Sequence, residues 1–136
     1  MKKMHSLLAA AVAISCMVAA APAVAQSYPE RPVTLIVPWP AGGGVDTMGR
    51  VSAEILRKSL GQSVVVENKG GAGGNIGTAI AAHARPDGYT LLMASTTPNA
   101  VNEHLYSRPG YDAQADFAPI ALVGATPNIL VVPANS

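Results

Sequence analysis

Residues 33–50 read Val-Thr-Leu-Ile-Val-Pro-Trp-Pro-Ala-Gly-Gly-Gly-Val-Asp-Thr-Met-Gly-Arg, and few folds accommodate that order. The run Val33, Thr34, Leu35, Ile36, Val37 is short, apolar and rich in β-branched residues, the pattern of a buried strand. Pro38 and Pro40 stop it, because neither can donate a ladder hydrogen bond. Gly42, Gly43 and Gly44 then let the backbone bend and let another group come close. Asp46 is predicted to cap a helix that starts near Thr47. The order is thus strand, glycine-rich bend, helix start. Free N–H groups at such a start point into the bend and favour an anion there, a phosphate or a carboxylate. The plainer reading is a tight strand-to-helix turn with no ligand.

Two phosphate motifs fit poorly. Gly44 and Gly49 have the separation of a P-loop, but Arg50 and Val51 stand where Lys and then Ser or Thr are needed. A dinucleotide fingerprint built on Gly42 and Gly44 requires glycine at position 47, which is Thr47.

The same arrangement is predicted to recur. The first helix should run to about Leu60, with Met48, Val51, Ile55 and Leu56 at helical spacing, Arg57 and Lys58 in the last turn and Gly61 just beyond it. Met48 reads as core. Residues 63–67 form a second strand, and the glycine-rich bend of residues 68–75 leads to a helix from Ile76 to about Ala84, with Asn75 as cap. Lys69 beside those glycines reads as solvent-facing. A turn by composition, Arg85-Pro86-Asp87-Gly88-Tyr89, returns the chain to a third strand over residues 90–94. Ser95-Thr96-Thr97-Pro98-Asn99 follows at that strand's carboxyl end, ahead of a short helix over 99–105. Its hydroxyls are neutral donors that can orient a carboxylate or cap the helix. Two apolar strands are expected at 120–124 and 128–132. The leading segment, residues 28–32, is extended because it holds two prolines, and Arg31 reads as a solvated charge. The βαβαβα order predicts an α/β fold, a parallel sheet flanked by helices. All three bends then lie on one edge of the sheet, with the Pro-Asp-Gly-Tyr turn at the other.

Residues 1–25 read as a cleavable secretory leader: Lys2 and Lys3, then a mostly apolar run over 7–21, then Ala23-Val24-Ala25, which places the mature start at Gln26. The apolar run is short for a membrane span, and Pro22 interrupts its end. A lipid anchor on Cys16 fits badly, since Ala13-Ile14-Ser15 is a poor approach to it. Cleavage removes Cys16, leaving no disulfide or thiol chemistry. It also removes Lys2 and Lys3, after which acidic residues outnumber basic ones by one, so nothing points to nucleic acid as a partner. Roughly 110 residues remain, enough for one small domain.

Three motifs together carry a resemblance: Pro38-Trp39-Pro40-Ala41-Gly42-Gly43-Gly44-Val45-Asp46, Gly71-Ala72-Gly73-Gly74-Asn75-Ile76-Gly77, and Pro86-Asp87-Gly88-Tyr89. The chain resembles the tripartite tricarboxylate transporter receptors, the periplasmic solute-binding proteins also called the Bug family, over nearly all of residues 28–133. The resemblance implies a two-domain periplasmic-binding-protein (type II-like) architecture with the ligand between the domains. It implies one small carboxylated metabolite as ligand, no cofactor, a monomer, and delivery to membrane permease subunits of a tripartite transporter. By matched position, Trp39, Pro40, Ala41, Gly42, Gly43 and Asp46 form a first wall. Gly71, Ala72 and Asn75 form a second, and Ser95, Thr96 and Thr97 a third. Asp46 is expected to cap, or to pair with a ligand amine, rather than touch a carboxylate. Family receptors are more than twice as long, so the chain is expected to be an N-terminal fragment: a leader over 1–25, an incomplete first α/β domain over 26–124 and a crossover towards a second domain over 125–136.

The alternatives are a small secreted α/β enzyme and a free-standing interaction module. After the leader only His83 and His104 remain, and they are not spaced as a metal pair. Spacing alone permits a Ser95–His104–Asp46 relay, but no nucleophile-elbow pattern supports it. The residues suit holding a carboxylate and lack the equipment to transform one.

Overall fold

The computed structural model describes residues 27–125 and 130–134; the predicted leader and part of the last predicted strand lie outside them. Three strands, β1 (Val33–Val37), β2 (Val64–Asn68) and β3 (Thr90–Leu92), alternate with helices α1 (Gly44–Leu60), α2 (Asn75–Ala82) and α3 (Asn102–Leu105). The strands form one parallel sheet in the order β2-β1-β3, the predicted fold class.

The backbone of β1 serves its two neighbours in alternation. Val33 N–H donates to Ser63 O and Lys69 N–H to Val37 O, both on the β2 side. Thr34 N–H donates to Tyr89 O and Met93 N–H to Ile36 O, both on the β3 side. The next position facing β3 is Pro38, which has no N–H to give. The ladder between β1 and β3 therefore ends there, and β3 stops at Leu92 instead of reaching Ala94 as predicted. The sheet parts at that point.

The connection from β1 to β2 runs one way across the sheet, and that from β2 to β3 runs back over β1. Right-handed crossovers in opposite directions put their helices on opposite faces. Leu35, Val37, Ala53 and Met93 form the core under α1, with Trp39, Val45, Val64, Val66 and Leu91 against it. The inward face of α1 differs from the predicted one: Gly49 and Ala53 are buried, while Val51 and Ile55 are 57% and 60% exposed. A Cβ on Gly49 would lie 2.8 Å from Val37 Cγ2, so the seam admits only small residues and the larger apolar ones turn outward. The helix ends as expected, on Gly61 in the left-handed region at φ 68°, its N–H donating to Arg57 O.

At the amino edge of the sheet, the Pro-Asp-Gly-Tyr turn holds the leading segment. Tyr28 donates its hydroxyl to Gly88 O, and Glu30 N–H donates to the Tyr89 hydroxyl. Arg31 is not merely solvated: it pairs with Asp87 at 2.9 Å and lies 3.8 Å over the Tyr89 ring. Lys69 stays at the surface beside Glu67. Residues 120–125 form no strand, and Ile120 and Leu122 are 82% and 88% exposed. Residues 130–132 are likewise unpaired, while 128–129 lie outside the described residues. Apolar, β-branched composition favours a strand only where another strand offers ladder partners, and among the described residues none does there.

Candidate functional site at the carboxyl edge of the sheet

Because the strands are parallel, the bends after β1, β2 and β3 emerge on one edge, and side chains and backbone tie them together. Trp39 Nε1 donates to Ser95 Oγ at 2.9 Å, joining the first bend to the third. Asn68 Nδ2 donates to Trp39 O at 3.0 Å, joining the second strand end to the first bend. Cβ atoms built on Gly70 and Gly74 would lie 3.2 Å from Pro40 Cδ and 3.1 Å from Pro98 Cγ, so the second bend packs on both others. The three do not scatter. They surround the place between β1 and β3 where the crossover direction reverses, the usual ligand crevice of an open α/β sheet.

Each bend leads into a helical start that its own side chain leaves uncapped. The residues before α1, before α2 and before the π-helical turn Thr97–Val101 are Gly43, Gly74 and Thr96, and none makes a side-chain cap hydrogen bond. First-turn N–H groups have no acceptor within their own helix, and here part of them is already used: Gly42 N–H donates to Asp46, Gly74 N–H to Gly71 O, Asn75 N–H to Ala72 O and Asn99 N–H to Ser95 O. In the second bend Gly71, Ala72, Gly73 and Gly74 all have positive φ, and Gly74 N–H closes a turn on Gly71 O. Ala72, at φ 49°, sits where a Cβ costs roughly 1–2 kcal/mol. Glycine content alone foretells the flexibility of this bend and not that an alanine is held in it.

Both predicted caps prove to be something else. α1 begins at Gly44, and Asp46 lies within its first turn, 3% exposed. Gly42, at φ 88°, turns the chain so sharply that helical geometry begins before Asp46. One Asp46 oxygen accepts from Gly42 N–H at 2.8 Å and from Arg50 Nε at 3.0 Å, and the other from Asn68 Nδ2 at 2.9 Å. The Arg50 guanidinium first, then the Gly42 amide and the Asn68 side chain, hold its carboxyl down at about 2, against burial, which opposes them. Asp46 is thus a strut between the first bend and the end of β2.

Asn75 does not cap α2 either; it is the first helical residue and 5% exposed. Its side-chain oxygen accepts from Asn102 Nδ2 at 2.6 Å and lies 2.8 Å from the Tyr111 hydroxyl, which also approaches Pro98 O. Asn102, 1% exposed, also donates to Gly73 O at 3.0 Å. Burial raises the Tyr111 phenol pKa, and the Glu103 charge adds to this. Sequence reasoning missed Asn68, Asn102 and Tyr111 as members of the site. An asparagine at a strand end just before glycines was the available sign for Asn68. Nothing local marks the other two, which meet Asn75 only through the fold.

Of the predicted wall residues, Trp39 meets Ser95 and Pro40 packs on the second bend at Gly70, while Ala41, Gly42, Gly43, Gly71, Ala72, Thr96 and Thr97 belong to the bends that leave the same edge of the sheet. Trp39 and Ser95 are half-buried, while Thr96 and Thr97 are exposed. Ser95 N–H donates to Asn99 Oδ1, and Asn99 N–H returns to Ser95 O, so the chain is already turning before residue 99. The predicted helix over 99–105 is accordingly a π-helical turn followed by α3. The Ser95–His104–Asp46 relay is not assembled. Both Asp46 oxygens are engaged elsewhere, His104 lies 3.4 Å from Glu103 and 78% exposed, and Ser95 Oγ accepts from Trp39. His83 closes α2 against Ala79 O.

Residues 48–136 match the tripartite tricarboxylate transporter family receptor. The chain belongs to that family. Among other members, BugT of Bordetella pertussis is 49% identical over 113 residues, which are 82% of this chain and 35% of that protein. The solved periplasmic binding protein BugD is 48% identical with a TM-score of 0.63, over 68% of this chain and 31% of that one. MatC from Rhodopseudomonas palustris, solved with bound malate, is 36% identical with a TM-score of 0.61, over 71% of this chain and 33% of that one. The chain spans about a third of the length of the curated relatives it matches.

Proposed function

We propose that the chain supplies one side of a periplasmic solute-binding receptor for a small carboxylated metabolite, which it passes to a membrane permease of the tripartite tricarboxylate type. The observation that supports this is the meeting of three bends, each leading into a helical start, at one edge of the parallel sheet, with Trp39 bonded to Ser95 between the first and the third. Main-chain N–H groups there can share the charge of a carboxylate without a counter-ion. The malate bound by MatC is a ligand of the chemistry this edge suits. Amides of the first and second bends, with the hydroxyls of Ser95, Thr96 and Thr97, hold the anion in this reading. Trp39 covers its apolar part, and Asp46 and Asn75 hold the walls without touching it. The leader over residues 1–25 routes the protein to the periplasm.

The test is amide NMR of the protein titrated with malate against chloride at equal ionic strength. Amides 42–44, 70–73 and 96–97 are expected to shift with malate alone. Shifts that are absent, or confined to another face, would overturn the reading. Since the described residues line the crevice from one side only, calorimetry with mono-, di- and tricarboxylates is expected to give weak binding, Kd on the order of 1 mM. A submicromolar Kd would contradict the one-sided site.

A further inference from the structure

The hydrogen bond from Trp39 to Ser95 has a direction, and the direction has a consequence. The indole nitrogen only donates, so Ser95 Oγ is the acceptor, at 2.9 Å. The proton of that hydroxyl remains, and among the described residues it meets no acceptor. The Ser95 backbone is held on both sides, its N–H by Asn99 Oδ1 and its carbonyl by Asn99 N–H, and the bond from Trp39 engages the hydroxyl oxygen. Trp39 is fixed as well, because Asn68 Nδ2 grips its carbonyl, and Asp46 in turn grips Asn68. A continuous chain therefore runs from Asp46 through Asn68 and Trp39 to Ser95, crossing all three bends and ending on one unspent proton.

We propose that Trp39 is a positioning residue that acts through Ser95. By occupying a lone pair of Oγ, the indole N–H turns the hydroxyl proton away from itself and into the crevice, where it donates to a ligand carboxylate oxygen. Donation in one direction strengthens acceptance in the other, since the oxygen becomes more electron-rich as its proton is drawn to the anion. The bond from Trp39 should therefore tighten when the site fills. This rests on the receptor reading above, and it assigns Trp39 a role beyond covering the apolar part of the ligand.

Trp39 is the chain's one tryptophan, so its indole N–H gives a single NMR signal. In the protein titrated with malate, that signal is expected to move downfield in step with the amides of the bends. In Ser95→Ala it should lie upfield, exchange faster with solvent and stay put on titration, and malate should bind roughly tenfold more weakly. Ser95→Thr, which keeps the hydroxyl, should restore both. Trp39→Phe keeps an aromatic cover and is expected to weaken binding severalfold alone but to add nothing in the Ser95→Ala background, since one residue acts through the other. If the bend amides shift while the indole signal does not, or if the two substitutions prove additive, the positioning role is overturned and the receptor stands. If no bend amide responds to any carboxylate, the receptor reading fails and the positioning role with it.

Discussion

Single atoms decide how closely the layers of this protein approach. A Cβ built on Gly77 would lie 2.5 Å from Lys69 O and 2.8 Å from Pro38 Cα, both main-chain atoms at strand ends. Neither can yield without shifting a bend, so Gly77→Ala is expected to cost at least ~2 kcal/mol in denaturant unfolding. It should also spread the crevice. Gly44→Ala is the control: nothing lies within 4 Å of its Cβ. That substitution should leave stability unchanged or raise it by a few tenths of a kcal/mol, up to ~1. A cost at position 44 as large as at 77 would mean that close packing is not what glycine serves. The sequence shows glycines in both places and cannot distinguish them, because the atoms that would clash at Gly77 come from residues 38 and 69. Asp46 teaches the same lesson: an aspartate beside glycines reads as a cap, and only the nearness of Asn68 makes it a strut.

At the scale of the element, α1 carries two carboxylates that ionise unusually easily. The Arg57 guanidinium, bonded to Glu54 by two 2.8 Å contacts, is the main cause that holds the Glu54 carboxyl at about 2, with Lys58 adding to it. Arg50 leads in doing the same for Asp46, also to about 2. Both folded values lie below the ordinary 4.5 and 3.8, so each group stabilises the fold above its ordinary value. That contribution is lost as pH falls towards 2. Thermal midpoints should therefore be flat from neutral pH to about 5 and fall between about 4.5 and 2. Asp46→Asn should flatten part of that fall. Glu54→Gln should alter it less, because the Glu54–Arg57 pair is about half exposed and screened by solvent. A midpoint that rises on acidification would refute the strut. The carboxyl end of α1 was legible from Gly61, yet its start and its inward face were not. Spacing finds an apolar stripe, whereas the sheet chose the small stripe of Gly49 and Ala53 that lets the helix come near.

For the molecule as a whole, the order β2-β1-β3 is what gathers the site. Crossovers leave β1 in one direction and return over it in the other, so the direction of crossing reverses between β1 and β3, where Pro38 breaks the ladder. Trp39 and Ser95 meet there. Beyond α3 the chain exposes Leu122 (88%) and Leu130 (93%) among other apolar residues. Such a surface promotes association. Leu122→Ser with Leu130→Ser is expected to reduce binding of an apolar dye and self-association in light scattering. The unfolding free energy should stay within about 0.5 kcal/mol. A fall of more than about 1 kcal/mol would show that these residues are packed.

By itself the sequence determined the kinds of element and their order as far as β3, because proline and glycine act within a few residues and strand or helix periodicity is local; beyond β3 it predicted a strand at 120–124 that does not form. It also determined that three bends of similar chemistry would share one edge, since parallel strands allow nothing else. Tertiary structure alone decided the contacts across that edge: the Asp46–Asn68 strut, the Asn75–Asn102–Tyr111 cluster and the Trp39–Ser95 bond. Each joins residues more than twenty positions apart. No local preference encodes such a pairing, which arises only when the sheet brings separate strand ends together.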